Sequence, residues 1–257
     1  MPKAFVHGNP ETAAVWRALF EALERRGVED LVALSPPGFG APLPDGFEPT
    51  QSAYRDWLVA ELERLGGDVD LVGHDWGAGH VYGALAARPD LIRSWAADCA
   101  GLIHPDYVWH DAAQAWQTPE VGEQAVGQIF DLPAEARAAT WVSLGIREDA
   151  AAAIAAEQDA SMARCVLALY RSARQPAMAE LGGRLREAPR KPGLVVVATE
   201  DTYAGTPGMM REVARSLGAD TFTLEGLGHW WMFAGCEPAA EALVAHWEKA
   251  TQPGGKR

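Results

Sequence analysis

The stretch LVGHDWGAGH (71–80) places an aspartate, Asp75, between Gly73 two residues before it and Gly77 two residues after. Small residues at those distances let a strand and a helix close on a strained turn that lifts the central side chain into the open. A serine there performs acyl transfer, whereas a carboxylate is a poor nucleophile toward acyl carbon and a competent one toward saturated carbon. Asp75 displacing a leaving group from an sp³ carbon leaves an alkyl ester on the chain, which water must then hydrolyse with the help of a base. His229, in GLGHWWM, follows the last expected strand and so returns to the turn, with Gly226 and Gly228 suited to a tight loop. His74, His80, His104, His110 and His246 are expected to be structural or exposed. The acid that orients the imidazole is Asp201, in TEDTYAG, as first choice, with Asp98, in AADCAG, as its rival. The turn His7-Gly8-Asn9-Pro10 can present the Asn9 N–H beside that of Trp76 to an oxyanion. The Asn9 amide and the Trp76 indole N–H are further donors toward a leaving anion.

These residues need elements to hold them. Short β-rich runs (Ala4–His7, Leu31–Leu34, Val69–Gly73, Ser94–Cys99, Leu194–Ala198, Thr221–Leu224) alternate with helical patterns over 13–26, 54–65, 79–88 and 207–217, which is the signature of a parallel sheet flanked by helices. The segment between the fourth and fifth runs is far longer than one crossover helix requires. Rich in Ala, Glu, Arg and Trp and punctuated by Pro105, Pro119, Pro133 and Pro176, it reads as an inserted all-helical cap over 103–187, with a core formed by 1–102 and 188–257. Open α/β sheets bind ligands outside the carboxyl ends of their strands, where such a cap would sit.

Composition sets the outer bounds. The 257 residues are 48% hydrophobic and 22% charged, and 22 basic against 35 acidic side chains give a formal charge of −13. That balance repels a phosphate backbone, so nucleic acid is excluded as a partner. No apolar run approaches the roughly 20 residues that span a bilayer, and the start of the chain has no leader pattern, so a cytoplasmic protein without a membrane partner is expected. Cys99, Cys165 and Cys236 are too few and too scattered for a disulfide framework or a zinc site, and free thiols are expected. The partner is a small molecule, and the chain is expected to be a monomer or homodimer.

Taken together the residues resemble the α/β-hydrolases with an aspartate nucleophile, the haloalkane dehalogenases and epoxide hydrolases, across 5–99 and 194–232. HGNP followed by Trp16-Arg17 is similar to a haloalkane dehalogenase N-terminus, and the resemblance implies that Asn9 and Trp76 hold the halide. Epoxide hydrolases share GHDWG but usually carry a large aromatic in place of Asn9, and two cap tyrosines protonate the opening ring. Tyr170, in LALYRSA, stands where one is expected, and Tyr107, Trp109 or Trp116 offers no clean match for the second. Trp109 and Trp116 are candidate substrate-binding residues, and Trp141, Trp230 and Trp231 are further candidates for the pocket lining. Fluoroacetate dehalogenases commonly carry arginine where Trp76 stands, so uncharged substrates are implied. The family generally has two strands before the one ending in His-Gly; none fits after Met1, so about six strands are expected, all parallel. The resemblance implies a dehalogenase-like hydrolase of small, mostly apolar substrates, with an epoxide hydrolase as the alternative, and neither route calls for a metal or organic cofactor. A pocket that only binds would share the fold.

Overall fold

The computed structural model describes residues 1–251; most of the expected frayed tail, 252–257, lies outside the described residues. Six strands form one sheet: β1 (Lys3–Val6), β2 (Leu31–Leu34), β3 (Val69–Gly73), β4 (Ile92–Ala97), β5 (Gly193–Ala198) and β6 (Asp220–Leu224). Their order is β2-β1-β3-β4-β5-β6 and every pairing is parallel, as expected. The four inner strands β1, β3, β4 and β5 are buried on both faces, as a parallel sheet demands, while the edge strands β2 and β6 are partly exposed. Ala4 and Val6 enter one core cluster while Phe5, between them, enters the other. In register, Val6 lies beside Gly73 and Gly73 beside Ala97. The carboxyl ends of three adjacent strands are therefore level, and whatever follows each one emerges at the same edge.

The helices, in chain order, are α1 (Arg17–Glu24), α2 (Gln51–Arg64), α3 (Trp76–Ala87), α4 (Asp111–Gln117), α5 (Val121–Phe130), α6 (Ala134–Ser143), α7 (Glu148–Glu157), α8 (Ala160–Ser172), α9 (Ala177–Glu187), α10 (Pro207–Leu217), α11 (Trp231–Ala234) and α12 (Cys236–Thr251). Several starts are written in side chains that accept an orphan N–H: Thr50 from Ala53, Asp159 from Met162 and Thr206 from Met209. The expected helix over 13–26 opens instead as a 3-10 turn, Ala13–Trp16, before α1. The fourth strand ends at Ala97 rather than Cys99, because Cys99 has a left-handed backbone (φ 50°) that no strand accommodates.

α1 and α12 pack together on one face of the sheet, while α2, α3 and α10 cover the other. The long segment between β4 and β5 is helical. Within it α4, α5 and α8 pack together and α6 pairs with α7, whereas α9 runs beside α3 on the flank of the sheet.

Candidate active site

Asp75 occupies a backbone conformation (φ 51°, ψ −122°) that non-glycine residues adopt only under constraint. The constraint is the crossing of β3 and α3. A Cβ on Gly73 would fall 2.8 Å from the Ala78 backbone, and one on Gly77 would fall 2.0 Å from the Val6 carbonyl oxygen. The turn leaves the carboxylate between two arms. The Asn9 N–H, from the turn after β1, donates to Asp75 Oδ2 at 3.0 Å, and His229 Nε2 lies 3.8 Å from Oδ1. His229 comes from the loop after β6, and its Nδ1 is 2.9 Å from Oδ2 of Asp201, which follows β5. Asp201 is fixed in turn by the Tyr203 N–H (2.8 Å) and faced by the Cys99 thiol at 3.8 Å.

The charges support that geometry. Burial alone would pull the His229 pKa down; Asp201 first, then Asp75 and Asp98, reverse the effect and raise it to about 10. For Asp201 burial acts upward, but the His229 imidazolium outweighs it and holds the carboxyl at about 2. Asp98 is committed elsewhere. Its N–H bonds the Gly73 carbonyl, which turns its carboxylate under the elbow to accept the Asp75 N–H (3.0 Å) and the Trp231 indole N–H (2.7 Å), and to meet His74 Nδ1 at 2.5 Å. Of the two candidate acids, Asp201 is therefore the one beside His229.

A cavity of about 260 Å³ opens over these groups, lined among others by Asn9, Asp75, His229, Tyr170, Trp116 and Trp141. Both polar atoms of the Asn9 amide are buried, and neither has a partner among the described residues. Trp76 and Trp109 stand one layer back. Trp76 is 1% exposed and stacks on Trp109 (5.7 Å, 21°), while Tyr170 lies edge-on to both rings. Tyr170 lines the cavity and Trp76, edge-on behind it, does not, so the phenol ring provides the surface there. Burial, reinforced by the Asp75 charge, pushes the phenol well above its ordinary pKa and keeps it protonated.

Other lining residues depart from the sequence reading. His110, expected to be structural or exposed, lines the cavity; its Nδ1 caps α4 by accepting the Ala113 N–H, and burial lowers its pKa. Tyr203 lines it two residues after Asp201, a proximity the sequence displayed. Trp230 lines it too, whereas Trp231 is buried against Asp98. Arg137 and Gln158 carried no sequence signal.

The fold and this turn define a class. The chain matches the profile of the alpha/beta hydrolase family over residues 4–245 and belongs to that family; it is a hydrolase of this fold. Among solved structures it is similar to a loop variant of a haloalkane dehalogenase from Bradyrhizobium elkanii (23% identity, TM-score 0.72, covering 98% of this chain and 91% of that one). It is about as similar to a thermophilic esterase from Thermogutta terrifontis (19%, 0.71, 97% and 90%), so this likeness speaks to fold alone. An epoxide hydrolase from Caballeronia sordidicola is 33% identical over 94 residues, which span 35% of this chain and 28% of that relative.

Proposed function

We propose that the protein hydrolyses small, uncharged, mostly apolar substrates in two covalent steps through an ester on Asp75, with haloalkanes as the substrate class. The observation that carries this reading is a carboxylate at the strained position between β3 and α3, 3.8 Å from His229 Nε2. Asp75 attacks the carbon bearing the halogen, a C–O bond forms, and halide departs with the bonding electrons. Water then adds to the carboxyl carbon of the ester while His229, held by Asp201, takes its proton. The Asn9 N–H and the Trp76 N–H, at the first position of α3, receive the oxyanion. Collapse frees the alcohol and restores Asp75, so each turnover consumes one water and yields alcohol, halide and a proton. The unpartnered Asn9 amide, buried at the cavity wall, is a ready donor for the leaving halide.

A second reading is favoured by Tyr170. Tyr170 lines the same cavity with its hydroxyl kept protonated by burial, and a phenol can deliver the proton that an opening epoxide needs and a departing halide does not.

Intact mass on a His229→Phe variant exposed to a mixed panel of haloalkanes and epoxides separates these readings, because losing the base strands the ester. An added alkyl group with equimolar halide supports dehalogenation, and a hydroxyalkyl adduct supports epoxide opening. If no member of the panel leaves an adduct, the covalent reading fails. A binding-only role would leave biological function intact in Asp75→Asn.

A further inference from the structure

One buried carboxylate outside that mechanism is held on both oxygens by groups that touch it. Glu11 is 1% exposed. Its Oε1 accepts the Gly8 N–H at 2.8 Å and lies 3.6 Å from His74 Nε2, and its Oε2 accepts the Trp230 indole N–H at 2.8 Å. Each neighbour leads back to a reacting group. Gly8 precedes Asn9, whose N–H meets Asp75 Oδ2; His74 reaches Asp98, which takes the Asp75 N–H; Trp230 stands edge-on to His229 with ring centres 4.8 Å apart. The contacts close a ring around the nucleophile, from the Asp75 backbone through Asp98, His74, Glu11 and the Gly8–Asn9 peptide to the carboxylate of Asp75 itself.

Glu11 has no lysine or arginine partner among the described residues, and His74 is the cation within reach. His74 Nε2, 3.6 Å from Oε1, has no hydrogen-bond partner among the described residues, so the two groups act on each other through charge across that gap. Burial disfavours the imidazolium, and the charges of Asp98 and Glu11 outweigh it. Burial pushes the Glu11 carboxyl above its ordinary range while the His74 charge pulls against it, so how the group is held depends on these partners staying in place.

We propose that Glu11 is a positioning residue for ester hydrolysis: it holds the Gly8–Asn9 turn over Asp75 and Trp230 against His229, so the oxyanion donor and the base keep their places together. This rests on the roles given above to Asp75 and His229. Ester formation draws on the leaving-group donors, the Asn9 side-chain amide or the Tyr170 hydroxyl, whereas hydrolysis needs the Asn9 backbone N–H and the base that Glu11 holds in place. Loss of Glu11 therefore slows the second step selectively.

The test is rapid-quench intact mass on wild type, Glu11→Gln and Glu11→Asp, with 1-bromobutane and styrene oxide as probes, beside pH titration of ¹⁵N-labelled histidines in each protein. In Glu11→Gln the ester should accumulate, with hydrolysis slowed about thirtyfold and ester formation changed by less than about threefold. His74 should titrate at lower pH, because an anion has gone. Glu11→Asp keeps the charge but not the reach, so hydrolysis should slow while His74 titrates near its wild-type value. Unchanged hydrolysis in both variants overturns the proposal, as does an equal fall in both steps together with a lower melting temperature, which marks a merely structural role. Should Glu11→Gln fail to fold, Trp230→Phe cuts one link alone and must still slow hydrolysis more than ester formation. If neither probe forms an ester even in His229→Phe, the covalent reading fails for them, and the histidine spectra judge Glu11 by themselves. Shifts of both His74 and His229 in Glu11→Gln then support the coupling, and unmoved resonances overturn it.

Discussion

His229 is where the charges of the site meet, and its titration differs between the two halves of the proposed reaction. Asp201, Asp75 and Asp98 overcome burial to hold its pKa at about 10 in the free protein. Ester formation removes the Asp75 charge, so the imidazolium loses one support and the working base titrates lower. Ester decay followed by rapid quench should therefore rise with pH to a midpoint below that of His229 in the free protein read by NMR; coincident midpoints would contradict the histidine base. Asp201→Asn should slow that decay by about a thousandfold, since the ring loses its orienting acid. Asp98→Asn, which touches His74 directly and reaches His229 only through its charge, should slow it by about tenfold, and the opposite ranking would move the orienting role to Asp98. Asp75 was legible because an elbow is local, and the His229–Asp201 pair because strand order brings loop ends together. Glu11 was not, since an acidic residue after a proline looks solvated until Trp230, from the far end of the chain, is seen donating to it.

Elements place these groups, and two glycines show what one methyl does to a turn and to a crossing. A Cβ on Gly8 would lie 2.2 Å from Asp75 Oδ2, whereas one on Gly77 would press on the backbone of β1. Gly8→Ala should abolish ester formation and also lower urea stability, because the added methyl would lie 2.4 Å from Asp75 Cβ, which moves only with the backbone of the elbow. Gly77→Ala should cost about 2–3 kcal/mol of stability, because backbone must move. Arg137 tests the helices above the sheet. Its guanidinium donates to the carbonyls of Phe130 (3.0 Å), Leu132 and Ala155 (2.9 Å), tying α6 to the end of α5 and to α7, where carbonyls carry the negative helix end. Arg137→Ala should lower stability by about 2 kcal/mol in urea unfolding and enlarge the cavity it lines, and an unchanged midpoint would refute the tie. Strands and capped helices were readable because each run carries its own period or its own accepting side chain. The layering of Tyr170 over Trp76 was not, since which of two aromatics faces a cavity depends on how α8 settles against α3.

At the scale of the molecule, the acidic balance and the buried pair act together. His229, raised from 6.5 to about 10, stabilises the fold fully below 6.5, and that contribution disappears as pH climbs through 10. Asp201, lowered from 3.8 to about 2, contributes fully above 3.8 and loses it as pH falls through 2. The pair is thus worth most between 3.8 and 6.5. The stability difference between wild type and His229→Gln should shrink steadily from pH 6.5 to 10; a difference constant across that range would mean the native and unfolded imidazoles titrate alike. Among the described residues no helix is long and apolar enough to cross a membrane.

The level ends of β1, β3 and β4 carry a consequence in terms of descent. Asn9, Asp75 and Asp98 are bound to one another by strand register, while most of the wall facing them comes from the single stretch between β4 and β5. Substitutions in that stretch can reshape the chamber without shifting the register that aligns the nucleophile with its donors. A lineage built this way can change its diet while keeping its chemistry, and the sheet will record the shared ancestry long after the chambers have ceased to look alike.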